Sequence, residues 1–354
     1  MAEITKRVPP GVRPIQRDRT GAPTTLQFSA DAARYERMPF GNCGASGLKL
    51  PAVSLGTWET FGGYRGPEVA RACIFRAFNL GITHFDLANN YGQPPGQAET
   101  VVGAILREMP REELIVSTKA GFSMWAGPYG VGCSRKSLVN SIDQSLRRLG
   151  LDYVDIFYSH RHDPETPLEE TLGALDQIVR DGKALYIGLS NYSGKLLQEA
   201  LGLTRHFRLS PIVVEQSSYS LLDRRIESDL LPSARLTGIG VVAFSPLAQG
   251  LLSEKYLAGF FPEESRAIKT WTAEQRERLT PALWEKIGQL NEIAKARGQT
   301  LPQMALAWVL RFREIASVLI GASTVEQIEE NVKAIENLKF SPEELTQINQ
   351  VTAS

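Results

Sequence analysis

Asp86, Tyr91, Lys119 and His160 supply a carboxylate, a phenol, an ammonium and an imidazole. Together these groups can donate a proton at neutral pH from an acid that is normally too weak to do so. A free tyrosine titrates near pH ~10, and a neighbouring ammonium stabilises the phenolate and lowers that value, the role expected of Lys119. A buried lysine tends to lose its proton, and pairing with Asp86 opposes the loss. His160 can then hydrogen-bond a substrate oxygen from the other side. Each residue alone has a plainer reading: a partnered structural carboxylate, a surface ring, a lysine that snorkels to solvent, a core histidine. Only their convergence makes a site, so the elements that carry them decide the matter.

From Pro51 onward, short β-prone runs alternate with amphipathic helical runs, the pattern of a parallel sheet with crossover helices. Strands are expected at Ala52 to Gly56, Thr83 to Leu87, Leu114 to Thr118, Tyr153 to Tyr158, Ala184 to Leu189, Ile212 to Glu215, Gly240 to Phe244 and Ser317 to Ile320. Eight strand-then-helix units are the count of an α/β TIM (β/α)8 barrel, whose active sites lie at the C-terminal strand ends. Asp86, Lys119 and His160 fall at such ends. Asn89, Asn90 and Gly92 set Tyr91 in a turn that projects its ring from a loop. Residues 1–37, with several prolines and arginines, read as an extended N-terminal arm, and residues 38–354 as the barrel. Arg37 to Leu50 reads as a hairpin that plugs one barrel end. The long polar stretch Leu247 to Leu279 reads as a functional loop after the seventh strand, with an extra helix at Trp284 to Arg297 before the eighth.

The chain has 354 residues, 43% of them apolar, enough for a large core, and this length suits one α/β barrel. Lysine plus arginine balances aspartate plus glutamate at 39 each, so there is no electrostatic footprint for nucleic acid or an anionic membrane. Cys43, Cys73 and Cys133 have no paired or zinc-type spacing, and no apolar run is long enough to span a bilayer. A cytoplasmic protein with a small-molecule partner is expected.

The frames HFDLANNYG, STKAG and VDIFYSHR, which hold Asp86, Tyr91, Lys119 and His160, resemble the catalytic tetrad of the aldo-keto reductase superfamily. The resemblance runs over about residues 38–350 and includes GLSNYS at 188–193, FSPLAQGLL at 244–252 and VLIGASTVEQIEENV at 318–332. Within the superfamily, FSMWAGPYGVGCSRKSL at 122–138 is most similar to bacterial L-glyceraldehyde 3-phosphate reductases, with the voltage-gated potassium channel β subunits as near relatives. The resemblance implies NADPH-dependent reduction of an aldehyde to an alcohol, with Tyr91 protonating the carbonyl oxygen and His160 orienting it. L-glyceraldehyde 3-phosphate, methylglyoxal and other small aldehydes are the expected substrates, and a homo-oligomer of four subunits or more the expected assembly.

The same likeness implies the cofactor contacts. Ser190, Asn191 and Gln216 match the carboxamide positions, and Phe244 the ring against which the nicotinamide stacks. Gly56, Thr57 and Trp58 line the first strand's mouth beside Asp86. Ser245, Pro246, Leu247, Ala248, Gln249 and Gly250 form the phosphate loop, with Lys255 and Arg266 as its cations. Gly321, Ser323, Gln327, Glu330 and Asn331 match the adenine side. Arg266 and Ser323 are candidates for a 2′-phosphate, since a guanidinium suits a phosphate geometrically. Trp58, Tyr64, Met124 and Trp125 are expected to wall the substrate pocket, and Arg161 to bind a substrate phosphate or else to pair with Asp163 or Glu165.

Two other classes compete. His160 and His162 near one strand end suggest a metal-dependent hydrolase, but further ligands are lacking, since only His84 and His206 remain. A redox-sensing, NADPH-binding regulatory subunit is the second alternative, as the channel β subunits share the GAS-x-x-EQ-x-x-EN motif. They carry Asn where this chain has His160, and the full tetrad favours turnover. His84 is expected to be a packing or hydrogen-bonded barrel residue.

Overall fold

The computed structural model describes residues 28–58, 60–63, 65–253, 271, 272, 276 and 279–353. Eight parallel strands close into a barrel: β3 (Val53–Gly56), β4 (His84–Asp86), β5 (Ile115–Ala120), β6 (Val154–Ser159), β7 (Ala184–Ser190), β8 (Ile212–Ser218), β9 (Gly240–Phe244) and β10 (Ile315–Gly321), with β10 pairing back onto β3. The helices α1 (Pro67–Asn79), α2 (Gln97–Leu106), α3 (Arg135–Leu149), α4 (Leu168–Arg180), α5 (Gly194–His206) and α6 (Leu230–Thr237) follow the first six strands in turn. The extra helix is α7 (Pro281–Ala296); α8 (Leu301–Val309), α9 (Val325–Val332) and α10 (Pro342–Ala353) complete the described helices. The eight-stranded barrel expected from the alternation is the fold observed.

Local chemistry explains the boundaries. In α1, Pro67 starts the helix where its missing N–H costs nothing, Glu68 and Arg76 oppose the dipole at its two ends, and Ala70, Cys73, Ile74, Ala77 and Phe78 form the buried stripe. Ser134 caps α3 by accepting from Ser137 N, and Gly150 ends it in the left-handed conformation. Thr300 and Gln303 make a reciprocal capping box on α8. Strand ends differ from the sequence expectation: β5 runs to Ala120 and β8 to Ser218, so Lys119 and Gln216 lie within strands. Polar residues signalled a strand's end there, yet inside this barrel they find hydrogen-bond partners and the pairing continues. His206 ends α5, and α10 has no counterpart among the elements expected from the sequence.

The hairpin of β1 (Phe40–Asn42) and β2 (Lys49–Pro51) pairs antiparallel and closes the barrel's N-terminal end. Cys43, Leu48 and Leu50 pack with Val213, Val214, Val242 and Leu319 from three strands. Ala45 N donates to Gly238 O at 2.7 Å. Gly44 has φ +59°, and a side chain there would meet Gly238 O at 2.1 Å. Most of the N-terminal arm, residues 1–27, lies outside the described residues, as does 254–270 of the long loop after β9. Of the remainder of the arm, Phe28 packs on Phe75 and Phe78 of α1, and Asp31 N donates to Asn79 Oδ1 at 2.9 Å.

Gly44→Ala combines backbone strain with a clash against main chain, so it should lower stability by about 2–4 kcal/mol in a denaturant titration. An unchanged midpoint would mean that the hairpin does not seat against the β9 entry as described.

Candidate active site

The strand register assembles one rim. Gly321 lies beside Gly56, Gly56 beside Asp86, Asp86 beside Ser117, Lys119 beside Tyr158, and Ser190 beside Gln216. Residues two apart share a face, so His84 with Asp86 and Ser117 with Lys119 point into the barrel, while Thr118 between them turns outward to Glu99 of α2 at 2.5 Å.

Lys119 Nζ lies 2.5 Å from Asp86 Oδ2, and neither side chain is more than 3% exposed. The ammonium also donates to Leu87 O at 2.6 Å. Asp86 Oδ1 receives Ser117 Oγ at 2.6 Å and Gln216 Nε2 at 3.0 Å. Burial lowers the Lys119 pKa, and the Asp86 charge and hydrogen bond oppose that shift, as the sequence reading expected.

Tyr91 and His160 sit next to this pair. The Tyr91 ring centroid is 5.1 Å from Lys119 Nζ and 5.8 Å from the His160 ring. Tyr91 O accepts from Gly96 N and Ala98 N, both at 3.1 Å, which ties the tyrosine loop to the start of α2. Gly96 takes φ +93° there, with Arg148 filling the space of a side chain. The Tyr91 pKa departs from the sequence expectation. Burial pushes the phenol well above its usual value, and the Asp86 charge pushes the same way. Removal of the ring from solvent thus outweighs the help expected from the Lys119 ammonium. Burial and the Lys119 charge hold His160 well below the usual histidine range, so its imidazole is neutral. Its Nδ1 is buried without a hydrogen-bond partner, beside the edge-on Phe122 ring at 4.6 Å. The arrangement can hold a weak acid protonated beside a neutral hydrogen-bonding group.

Several expected cofactor residues line the same rim. Thr57 Oγ1 donates to Asp86 O at 3.0 Å, with Gly56 before it and Trp58 exposed after it. Asn191, at φ 61°, donates from Nδ2 to His160 O at 3.0 Å and to Ser190 Oγ at 3.1 Å, while Ser190 Oγ donates to Gln216 O. Phe244 ends β9, and Ser245 (φ 54°), Ala248 (47°), Gln249 (57°) and Gly250 (99°) follow in the left-handed region around Pro246 and Leu247. Ala248 N donates to Ser245 O at 2.9 Å and Gly250 N to Leu247 O at 2.8 Å, so the loop is a run of tight turns. Ser323 N and Oγ both donate to Gln327 Oε1 at the start of α9, after Gly321.

Other expectations are not met or are not described. Glu330 Oε1 accepts from Gln303 Nε2 at 2.7 Å and Thr300 Oγ1 at 3.3 Å, joining α9 to α8, while its Oε2 pairs with Lys333 at 3.2 Å; Asn331 beside it is buried. Arg161 pairs with neither Asp163 nor Glu165. Its Nε donates to Gly121 O at 3.2 Å and its Nη1 to His162 O at 3.0 Å, because Asp163 is taken up by Cys133 N and Thr166 Oγ1. Met124 and Trp125 lie in the β5–α3 connection, where Met124 N donates to Gly130 O and Trp125 is 43% exposed. Tyr64, Lys255 and Arg266 lie outside the described residues. Among the described residues, no group of three or more His, Cys, Asp or Glu side chains could hold a metal ion.

The sequence reading missed three contributors. Ser117 and the second role of Gln216, both donors to Asp86, were legible only through two-residue periodicity in strands whose length was underestimated. Glu215 of β8 is fully buried, with Tyr192 N at 3.1 Å and Ser217 Oγ at 2.8 Å on its carboxyl oxygens, and burial raises its pKa from 4.5 to about 8. It supports the turn that carries Asn191.

A profile described as the aldo/keto reductase family matches residues 52–353. The chain is 52% identical over 332 residues to proteins named L-glyceraldehyde 3-phosphate reductase from Escherichia coli O157:H7 and from Escherichia coli strain K12, covering 92% of this chain and 95% of each of theirs. It is 39% identical over 326 residues to a putative voltage-gated potassium channel subunit beta from Schizosaccharomyces pombe, covering 89% and 94%.

Glu215 gives the site a pH test. Between pH 4.5 and about 8 the folded chain holds a proton on Glu215 that the unfolded chain has released, so its contribution to stability falls as pH rises. Glu215→Gln lacks this dependence. Its urea midpoint relative to the native chain should therefore climb from about pH 5 to about pH 8, and a constant difference would mean that Glu215 stays ionised when folded.

Proposed function

The chain belongs to the aldo/keto reductase family, and from that premise we propose that it is an NADPH-dependent reductase of small aldehydes in which Tyr91 is the proton donor. The observation that carries this reading is the convergence of Asp86, Lys119, Tyr91 and His160 at one strand rim. When bound, NADPH supplies a hydride to the carbonyl carbon. The residues do the rest. His160, neutral, hydrogen-bonds the carbonyl oxygen and orients it, and Tyr91 delivers its phenolic proton to that oxygen as negative charge builds. The resting Tyr91 pKa is raised, so the proton is held until that charge appears, and the Lys119 ammonium nearby then favours its departure. Asp86 keeps Lys119 charged throughout.

Ser190, Asn191 and Gln216 are the proposed carboxamide contacts, Phe244 the stacking face, Ser245 to Gly250 with Lys255 the phosphate loop, and Arg266 with Ser323 the 2′-phosphate contacts. Glu330 and Asn331 are the proposed adenine-side contacts. Cytoplasmic residence and a homo-oligomer belong to the same reading and rest on the family resemblance; light scattering behind a sizing column tests the second. The alternative of a regulatory subunit that senses the cofactor is disfavoured by the intact His160.

L-glyceraldehyde 3-phosphate is the proposed substrate, supported by the names of the two Escherichia coli relatives. Arg161 is the proposed phosphate contact. Its Nε and Nη1 are fixed by main-chain carbonyls beside His160, which aims the rigid guanidinium with Nη2 remaining.

Tyr91→Phe should still perturb NADPH fluorescence on binding yet lose at least about 100-fold in turnover, the usual range for a missing general acid. Near-normal turnover would sink the assignment. Arg161→Leu should raise KM for glyceraldehyde 3-phosphate about tenfold or more while leaving methylglyoxal kinetics within about twofold. Equal effects on both substrates would remove Arg161 from phosphate binding.

A further inference from the structure

Inside the barrel, one polar stripe crosses a core that is otherwise largely apolar. Ser317 of β10, Ser54 of β3, His84 of β4 and Ser117 of β5 are all fully buried and come from four neighbouring strands. Ser317 Oγ is 2.6 Å from Ser54 Oγ, Ser54 Oγ 2.9 Å from His84 Nδ1, His84 Nε2 2.9 Å from Ser117 Oγ, and Ser117 Oγ 2.6 Å from Asp86 Oδ1.

The direction of each bond follows from the last. The Asp86 carboxylate, paired with an ammonium, can only accept, so Ser117 gives its single hydroxyl proton to Oδ1. Ser117 Oγ must then accept from His84, which places the ring proton on Nε2. His84 Nδ1 is left as an acceptor and takes the Ser54 proton, and Ser54 in turn accepts from Ser317. Burial holds the His84 pKa down to about 4, so the ring keeps this neutral form over the physiological range.

We propose that Ser317, Ser54, His84 and Ser117 form a one-way hydrogen-bond relay that acts on catalysis by positioning Asp86, and through it the Lys119 ammonium, for Tyr91. None of the four is a catalytic residue; each acts through the next. The relay, together with Gln216 Nε2, fixes Oδ1 from the barrel interior and leaves Oδ2 to Lys119. The kinetic part of this proposal rests on the reductase reading, while the tautomer does not.

The test has two arms on the full chain. Ring ¹⁵N–¹H spectra, with His84→Gln used to assign the signal among four histidines, should show His84 as the Nε2–H tautomer, unchanged from about pH 8 to about pH 5. An Nδ1–H tautomer, or titration near the usual histidine value, overturns the relay. In kinetics with NADPH and a small aldehyde, Ser117→Ala should lower kcat about tenfold with KM for NADPH within about twofold, and Ser117→Thr, which keeps the hydroxyl, should recover most of the loss. An unchanged kcat overturns the positioning role. If Ser117→Ala does not fold, the spectra of the native chain decide. Tyr91→Phe run in parallel separates the two readings: retained turnover there defeats the reductase mechanism, whereas a wrong tautomer with a dead Tyr91→Phe defeats the relay alone.

Discussion

Lys119 and Asp86 meet at 2.5 Å with essentially no water around them, and the surrounding residues take their tasks from that contact. Removing a carboxylate and an ammonium from solvent costs several kcal/mol for each ion, and the mutual attraction offsets this only if the remaining lone pairs and protons are satisfied. The barrel meets the condition with Leu87 O on the ammonium and with Ser117 and Gln216 on the carboxylate. Those donors come from β5, next to the strand that carries Asp86, and from β8 across the barrel, so the pair ties opposite sides of the rim together. The same removal from solvent penalises the phenolate, which is why the resting Tyr91 phenol is harder, not easier, to ionise.

Around this centre two supports hold the loops of the rim in place. The tyrosine loop is tied at its carbonyl by the first amides of α2, and α2 is itself fastened to β5 and α3 because Glu99 accepts from Thr118 and pairs with Arg148. On the opposite side, Glu215 holds Tyr192 N and thereby the Asn191 turn, whose amide reaches the His160 carbonyl. A fully buried acid so placed makes the rim sensitive to pH through its main chain, independently of the groups that would touch a substrate.

The tetrad could be read from the sequence because its residue types are rare in combination and fall at the ends of recognisable strands. The eight-fold alternation was legible for the same reason: strands buried on both faces and amphipathic helices have different periods. What escaped was interior polarity. Gln216 looked like a residue past a strand's end and Ser117 like an ordinary strand residue, since a polar side chain inside a barrel needs partners that only closure of the sheet provides. Glu330 stands within EQIEEN as an expected ligand contact, and its bond from Gln303, on another helix 27 residues earlier, leaves no trace in that motif. Arg161 was offered two acidic neighbours in sequence, and the fold gave it two carbonyls. The hydrogen-bonded setting of His84 was anticipated, though not the serines on either side of its ring.

The hairpin at the N-terminal end bears on how such a protein can change over time. Because Cys43, Leu48 and Leu50 seal the entrance to the strands, the residues that secure the fold and those proposed to meet a substrate occupy opposite ends of the same eight strands. Variation in the β5–α3 connection around Trp125, or in the loop after β9, can reshape what enters the mouth without loosening the seal beneath it. Selection for a new aldehyde and selection for a folded chain thus act on largely separate sets of residues, and a lineage can explore the first while the second stays constant.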